Sequence, residues 1–409
     1  VRAWRNAVLA GYLASGLAVS AWLTRLPAIA DALGLSPATL GAVLLTQTVA
    51  AFVSVSTSGM TVLRLGASLT LRLTSAVVVA GLVLIGLGVS VFASLPVTVA
   101  GMLLFGLGSA TWNVAANVEG AALESGLGKH VMPVMHAFFS IGTVLGAAVG
   151  ALASAARVPV VWHVGGMAAV VLALVWGSLP FLRGEGTRVR PEEPRTDTGS
   201  IDLAALAADR PARGMRAAWR DPRTVLIGVF TLGVALAEGA ANDWVALALT
   251  TGYGTSEALG AVGYGVFVAA MTTGRLAGTP LLDRFGRVAI LRAACSLALV
   301  GLAVFIVSPW LELGIAGLFL WGLGASLGFP VGMSAASDDR HNAAANVSVV
   351  STLGYGAFLG GPPLLGLLGE AVGVRYALAA VAALVVVSLL LVPALRAPAT
   401  AHRPAGRGR

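Results

Sequence analysis

Runs of about twenty apolar residues recur along the chain, separated by short polar or glycine-rich breaks, and that recurrence leaves few folds open. Inside a bilayer every backbone N–H and C=O must be satisfied by the protein itself, so a spanning chain forms helices or a closed barrel. Barrel strands would be about half as long and would alternate apolar with polar residues. The runs here do neither. Only 11% of the residues are charged and mean hydropathy is +0.89, whereas soluble domains carry about 25% charged residues. The expected fold class is therefore an all-α polytopic membrane protein. The first run, Ala7 to Ile29, is longer than a signal-peptide core and is taken as a first spanning helix.

Twelve helices are predicted, at residues 6–29, 37–60, 70–93, 96–122, 131–155, 160–182, 223–249, 257–281, 288–308, 311–335, 343–368 and 374–395. Ser36–Pro37 and Leu95–Pro96 read as helix starts, since proline is tolerated in a first turn. The basic residues test this layout. With both termini cytoplasmic, 22 of the 26 Lys and Arg fall on inner segments. Arg25, Arg157 and Arg375 fall near the outer side, and Arg275 falls within helix 8. That asymmetry follows the positive-inside rule, so the net charge of +8 is topological and implies no nucleic-acid partner. The layout places both termini on the cytoplasmic side of a membrane.

The longest polar stretch, Arg183 to Pro222, reads as a cytoplasmic linker, with a short amphipathic piece around Ile201 to Ala208. The expected organisation is a six-helix bundle over residues 1–182, the linker over 183–222, a second six-helix bundle over 223–396, and a cytoplasmic tail over 397–409. The two halves repeat. Leu104 to Ala110 (LFGLGSA) returns as Leu320 to Ser326 (LWGLGAS), and Leu40 to Val43 (LGAV) returns as Leu259 to Val262. Trp22 is matched by Trp244, and Arg64-Leu65-Gly66 by Arg284-Phe285-Gly286. Parallel six-helix repeats joined by a cytoplasmic loop suit a secondary transporter.

Polar groups inside such helices mark candidate sites. Ser109, Asn113 and Asn117 stand at i, i+4, i+8 on one face of helix 4, with Trp112 and Glu119 on the neighbouring face. His136, Ser140 and Thr143 form a stripe on helix 5, at a depth like that of Glu119. Glu119 with His136 is either a proton-coupling pair or a static clamp between two helices. Asn113 and Asn117 are either ligand donors and acceptors or interhelical glue. On helix 7, Glu238 and Asn242 share a face, with Asp243 about 100° further round. Arg25 and Asp243 lie at matched outer depths, which suggests an outer gate; Glu238 is both an alternative partner for Arg25 and a further proton-coupling candidate. Trp22, Trp112, Asn113, Asn117, Ser140, Asn242 and Trp244 are the candidate substrate-binding residues. Cys295 stands alone and the five His show no zinc-like spacing, so no metal site is expected. No nucleotide-binding or nucleophile motif occurs in usable context, so neither a cofactor nor an enzyme is expected.

Asp283-Arg284-Phe285-Gly286-Arg287, between helices 8 and 9, resembles the inner-loop signature of the major facilitator superfamily, and the resemblance extends over essentially the whole length. Its counterpart in the first half keeps Gly59, Arg64 and Gly66, with Leu63 at the acidic position. More narrowly the chain resembles a bacterial inner-membrane branch near the fucose–proton symporters. Trp22 to Pro27, Asn117-Val118-Glu119, His136 to Ser140, and Glu238-Gly239 to Asp243-Trp244 carry that likeness. Two departures stand out: Leu23, Thr24 and Arg25 occupy the place of the symporters' helix 1 acid, and Asn113 that of their helix 4 Glu. The resemblance implies twelve helices in two pseudo-symmetric bundles. It implies alternating-access transport of a small polar or sugar-like solute by proton symport, in a monomer. Proton-linked efflux of a drug or metabolite, and a transport-inactive sensor or scaffold, are the alternatives.

Overall fold

The computed structural model describes residues 2–127, 131–182, 215–339 and 342–396. The predicted amphipathic piece around Ile201 to Ala208 and the 397–409 tail lie outside the described residues. Among those described, the long helical spans are α1 (Arg2–Leu33), α2 (Pro37–Leu65), α3 (Ala67–Ser90), α4 (Leu95–Leu127), α5 (Met132–Ala155) and α6 (Val160–Phe181). They continue with α7 (Pro222–Gly252), α8 (Glu257–Phe285), α9 (Arg287–Val307), α10 (Leu311–Ala336), α11 (Ala343–Val372) and α12 (Val374–Leu395). A short helix, Met215–Arg220, precedes α7.

Two spans are broken by proline. α1 divides at Thr24–Arg25, because Pro27 cannot donate and its ring excludes the carbonyl four residues back, at Leu23. α10 divides at Ser326–Leu327 in the same relation to Pro330. Helix starts are capped where the sequence offers a short polar side chain. Ser36 Oγ accepts from Thr39 N at 3.3 Å, and Asp221 Oδ2 accepts from Thr224 N at 2.9 Å.

The repeat is built from glycine. The α2–α3 and α8–α9 junctions each turn on one residue, Gly66 (φ 81°, ψ 156°) and Gly286 (φ 77°, ψ 157°), a region open essentially to glycine alone. A Cβ on Gly81 of α3 would lie 2.7 Å from Gly101 O and Phe105 N of α4. One on Gly301 of α9 would lie 2.4 Å from Trp321 N and 2.5 Å from Gly317 O of α10. The repeated LFGLGSA and LWGLGAS phrases therefore seat α4 on α3 and α10 on α9 at backbone contact, as small residues do between membrane helices.

α1 to α6 pack on one another, as do α7 to α12, giving two pseudo-symmetric six-helix bundles. They meet chiefly where α2 packs against α11 and α5 against α8. We call the end carrying Arg2, Leu182, Pro222 and Leu395 the base, and the opposite end the far face. Close cross-bundle contacts lie toward the far face. A Cβ on Gly41 of α2 would stand 2.5 Å from Pro362 O of α11, Ala38 N donates to Glu370 Oε2 at 3.3 Å, and a Cβ on Gly265 would meet Ala147 at 3.3 Å. Among the described residues ten spans are long and apolar enough to cross a membrane; α8 and α11, which face the other bundle, are the more polar exceptions.

Candidate functional site

A cavity of about 230 Å³ opens between the bundles, with Tyr12, Trp112, Asn113, His136 and Ser140 on one side and Thr272 and Arg275 of α8 on the other. Its polar wall is fixed by a chain of hydrogen bonds. Tyr12 Oη donates to Asn117 Oδ1 at 2.8 Å, and Asn117 Nδ2 donates to both Asn113 O and Asn113 Oδ1 at 2.9 Å. The i, i+4 spacing on α4 makes the last two bonds possible. It leaves the Asn113 amide nitrogen without a hydrogen bond to any described residue, at the cavity wall. The His136 ring meets Tyr12 edge-on, with centroids 5.3 Å apart. A donor, an acceptor and a hydroxyl on one wall suit a hydroxylated solute.

Charge enters from the second bundle. Arg275 Nη2 donates to Glu238 Oε1 at 2.9 Å, and Arg275 Nε reaches Ser326 O at 3.4 Å. On sequence Arg275 either reaches the inner surface or pairs locally; it pairs with Glu238 and ties α7 to α8 beside the cavity. The signal was an Arg within α8 and a Glu at the middle of α7. A second cavity, of about 400 Å³, lies between α2, α7 and α11 and is lined by Gln47, Thr48, Phe52, Asn242, Asp243, Tyr355 and Phe358.

The expected Glu119–His136 pair is not formed. Glu119, 1% exposed, accepts from Trp4 Nε1 at 2.7 Å, in a narrow cleft with Ala7, Leu71, Val175 and Ser178 inside the first bundle. His136 faces the other way, into the inter-bundle cavity. Equal depth put the two residues at one level, but helical rotation sends them to different faces. The expected gate partners also differ. Arg25 donates to Ser154 Oγ at 3.1 Å and Val158 O at 3.0 Å, and lies 3.9 Å from Glu257 at the start of α8. Glu238 is held by Arg275, and Asp243 lines the larger cavity. Trp22 and Trp244 are core rather than cavity residues: both are buried, and Trp22 packs edge-on against Phe105 at 5.7 Å.

At the base, Arg287 of the inner-loop motif grips Asp338 with two bonds of 2.9 Å, and Arg223 reaches the same carboxylate at 2.7 Å. Arg287 Nη1 also donates to Leu395 O, and Arg223 Nη2 to Arg396 O. One acid thus joins the base ends of α7, α9, α10 and α12. Sequence reasoning missed Asp338, although Ser337-Asp338-Asp339 after an apolar span was a visible break. In the first half Glu124 Oε2 accepts from Val131 N and Met132 N, holding the α4–α5 connection. Asp283 and Arg64 are exposed, Arg284 stacks over Phe285 at 5.2 Å, and Gly66 and Gly286 form the turns.

The sequence profile of the Major Facilitator Superfamily matches residues 8–360 and 244–409. The chain is 30% identical over 401 residues to an uncharacterized transporter, y4wD, of Sinorhizobium fredii, covering 96% of this chain and 98% of the relative. It is 28% identical over 377 residues to an uncharacterized MFS-type transporter of Yersinia pestis, covering 91% of each. In architecture it is similar to a crystal structure of a mutant of the nucleoside transporter NupG, with a TM-score of 0.74 at 14% identity over 96% of this chain and 98% of that one. The chain belongs to the Major Facilitator Superfamily and is a membrane transport protein, not an enzyme.

Proposed function

We propose that the protein moves a small polar or sugar-like solute by alternating access, coupled to protons in symport. The observation that carries this reading is the inter-bundle cavity, in which the Tyr12–Asn117–Asn113 chain faces Thr272 and Arg275 of the other bundle. A site built from both halves changes shape when the halves rock, and a ligand that bridges them biases the equilibrium. In this proposal residues 1–182 and 223–396 are the rocking units and the base is cytoplasmic. The membrane is the bacterial inner membrane, and the unit of function is the monomer. Trp112, Asn113, Asn117 and Ser140 hold the solute. Contacts concentrated at the far face correspond to a state closed on the outside.

Proton coupling is assigned to Glu238. Its carboxylate is paired with Arg275, which lines the inter-bundle cavity, whereas Glu119 is enclosed within one bundle. A shift of α8 against α7 within the second bundle that removes Arg275 would leave Glu238 to take a proton. Export of an apolar or aromatic compound is the second reading, favoured by the Phe52, Tyr355 and Phe358 walls of the larger cavity.

The test is solute exchange in liposomes. Asn113→Leu and Asn117→Leu should abolish counterflow of the transported polyol while the purified variants keep their unfolding midpoint. Unchanged counterflow in both would make the asparagines packing residues and remove the site. Single cysteines placed in the 183–222 segment of a Cys295→Ser background should react only from the cytoplasm; labelling from outside would invert the topology.

A further inference from the structure

Among the described residues three acids stand well inside membrane-spanning helices. Glu119 receives the Trp4 indole N–H, and Glu238 is paired with Arg275. Asp243 forms no hydrogen bond or ion pair with any described residue, yet it sits nine residues before the end of α7, about 14 Å of helix from the far face. An ionised carboxylate at that depth is costly unless something supplies positive charge or a proton.

The cavity around it indicates which. Gln47 and Thr48 of α2 and Asn242 of α7 place amide and hydroxyl groups near Asp243. Phe52 of α2 and Tyr355 and Phe358 of α11 supply the remaining walls, with the Tyr355 and Phe358 rings 6.4 Å apart. Phe358 lies directly on α7: a Cβ on Gly239 would stand 3.0 Å from its ring. Gly239 and Asp243 are one turn apart on the same helical face, so the aromatic ring and the carboxylate line one pocket. Aromatic faces attract cations, most strongly where water is excluded. A bare divalent ion would ask for six or more oxygen ligands, and these walls offer rings instead. A volume of about 400 Å³ is that of an organic molecule. A neutral sugar leaves the carboxylate uncompensated, and an anion is repelled. Arg275 does not serve as counter-ion, being held by Glu238, and the titratable neighbour on α8 is Tyr264.

We propose that the cavity between α2, α7 and α11 binds a solute carrying a protonated amine, with the ammonium on Asp243 and the carbon frame against Phe52, Tyr355 and Phe358. The claim that this amine is transported rests on the reading above; the binding itself does not. Asp243 is here a specificity residue and not the outer gate suggested by its depth in the sequence.

The test uses the full-length protein in detergent and two pairs of probes that exchange ammonium for hydroxyl: D-glucosamine against D-glucose, and benzylamine against benzyl alcohol. Affinity is read from tryptophan fluorescence and from the unfolding midpoint. Each amine should bind at least about tenfold more tightly than its neutral twin. Asp243→Asn, close in shape, should bring the twins to within about twofold while the ligand-free midpoint holds or rises. Tyr355→Leu, which leaves the acid in place, should weaken amine binding several-fold. Equal binding within both pairs, or no response to either amine, overturns the proposal. So does stabilisation by sodium over choline without any amine preference, which would make Asp243 an inorganic-cation site. None of these failures touches the transport reading, because exchange of a neutral polyol in liposomes is measured independently.

Discussion

Replacing Glu257 by Gln separates two roles that Arg25 combines. Arg25 donates to Ser154 Oγ and Val158 O on its own bundle and faces Glu257 at 3.9 Å on the other. The Glu257 side chain is 35% exposed, so water and salt screen the pair, and its worth is about 0–1 kcal/mol. Losing it shifts the open-to-closed ratio at the far face by about fivefold at most. The bonds to Ser154 and Val158 persist in either state of the transporter. Arg25→Ala strips them as well, leaving polar groups unpaired at a further cost of about 1–3 kcal/mol, which appears as lower stability of the first bundle. The assay is a spin-label distance between positions 32 and 258 in a Cys295→Ser background, with the unfolding midpoint measured in parallel. Glu257→Gln should enlarge the longer-distance population about two- to fivefold, less so at high salt, and leave the midpoint nearly unchanged. Arg25→Ala should do both and lower the midpoint by several degrees. A distance distribution unmoved by Glu257→Gln would refute the gate, and an unmoved midpoint in Arg25→Ala would refute the division of energies.

Glu238→Gln should preserve solute exchange and abolish its dependence on a pH gradient; retained pH-driven accumulation would place coupling elsewhere. Asp338→Asn should destabilise the protein by about 2 kcal/mol, because charge-assisted bonds from two partly exposed guanidinium groups lose their charge, while solute affinity stays unchanged. Its unfolding midpoint is the check, and a neutral effect would mean the clamp contributes nothing. Glu119→Gln keeps an acceptor for Trp4 and should leave proton coupling intact. Loss of pH-driven accumulation in that variant would return Glu119 to the coupling path.

The fold was legible because its determinants are periodic and local. Apolar run length, prolines at helix starts and the placement of arginines located every span, with ends such as Leu127 and Val372 extended by a turn or so. The glycine repeat announced the twofold symmetry, and its reason is visible at Gly81 and Gly301, where a methyl group would collide with the neighbouring backbone. Pairings between helices were not legible, because sequence spacing fixes depth but not the rotation of one helix against the next. Glu119 was therefore assigned to His136 where Trp4 donates to it, and Arg25 to Asp243 or Glu238 where Glu257 faces it. Trp22 and Trp244, matched across the repeat, are equivalent in burial. The stripe of Asn113 and Asn117 was legible because both lie on one helix, where i, i+4 geometry is dependable.

Accumulation against a gradient is the direct test of transport by alternating access with proton coupling. The purified protein is reconstituted into liposomes, an inward proton gradient is imposed, and uptake is followed for labelled polyols, sugars and their amino derivatives. At least one solute should be concentrated above its external level, with accumulation lost on adding a protonophore and in Glu238→Gln, and exchange surviving both. Absence of both accumulation and counterflow for every solute, from protein that binds the same solutes in detergent, would contradict the account and leave a ligand-binding membrane protein that does not transport.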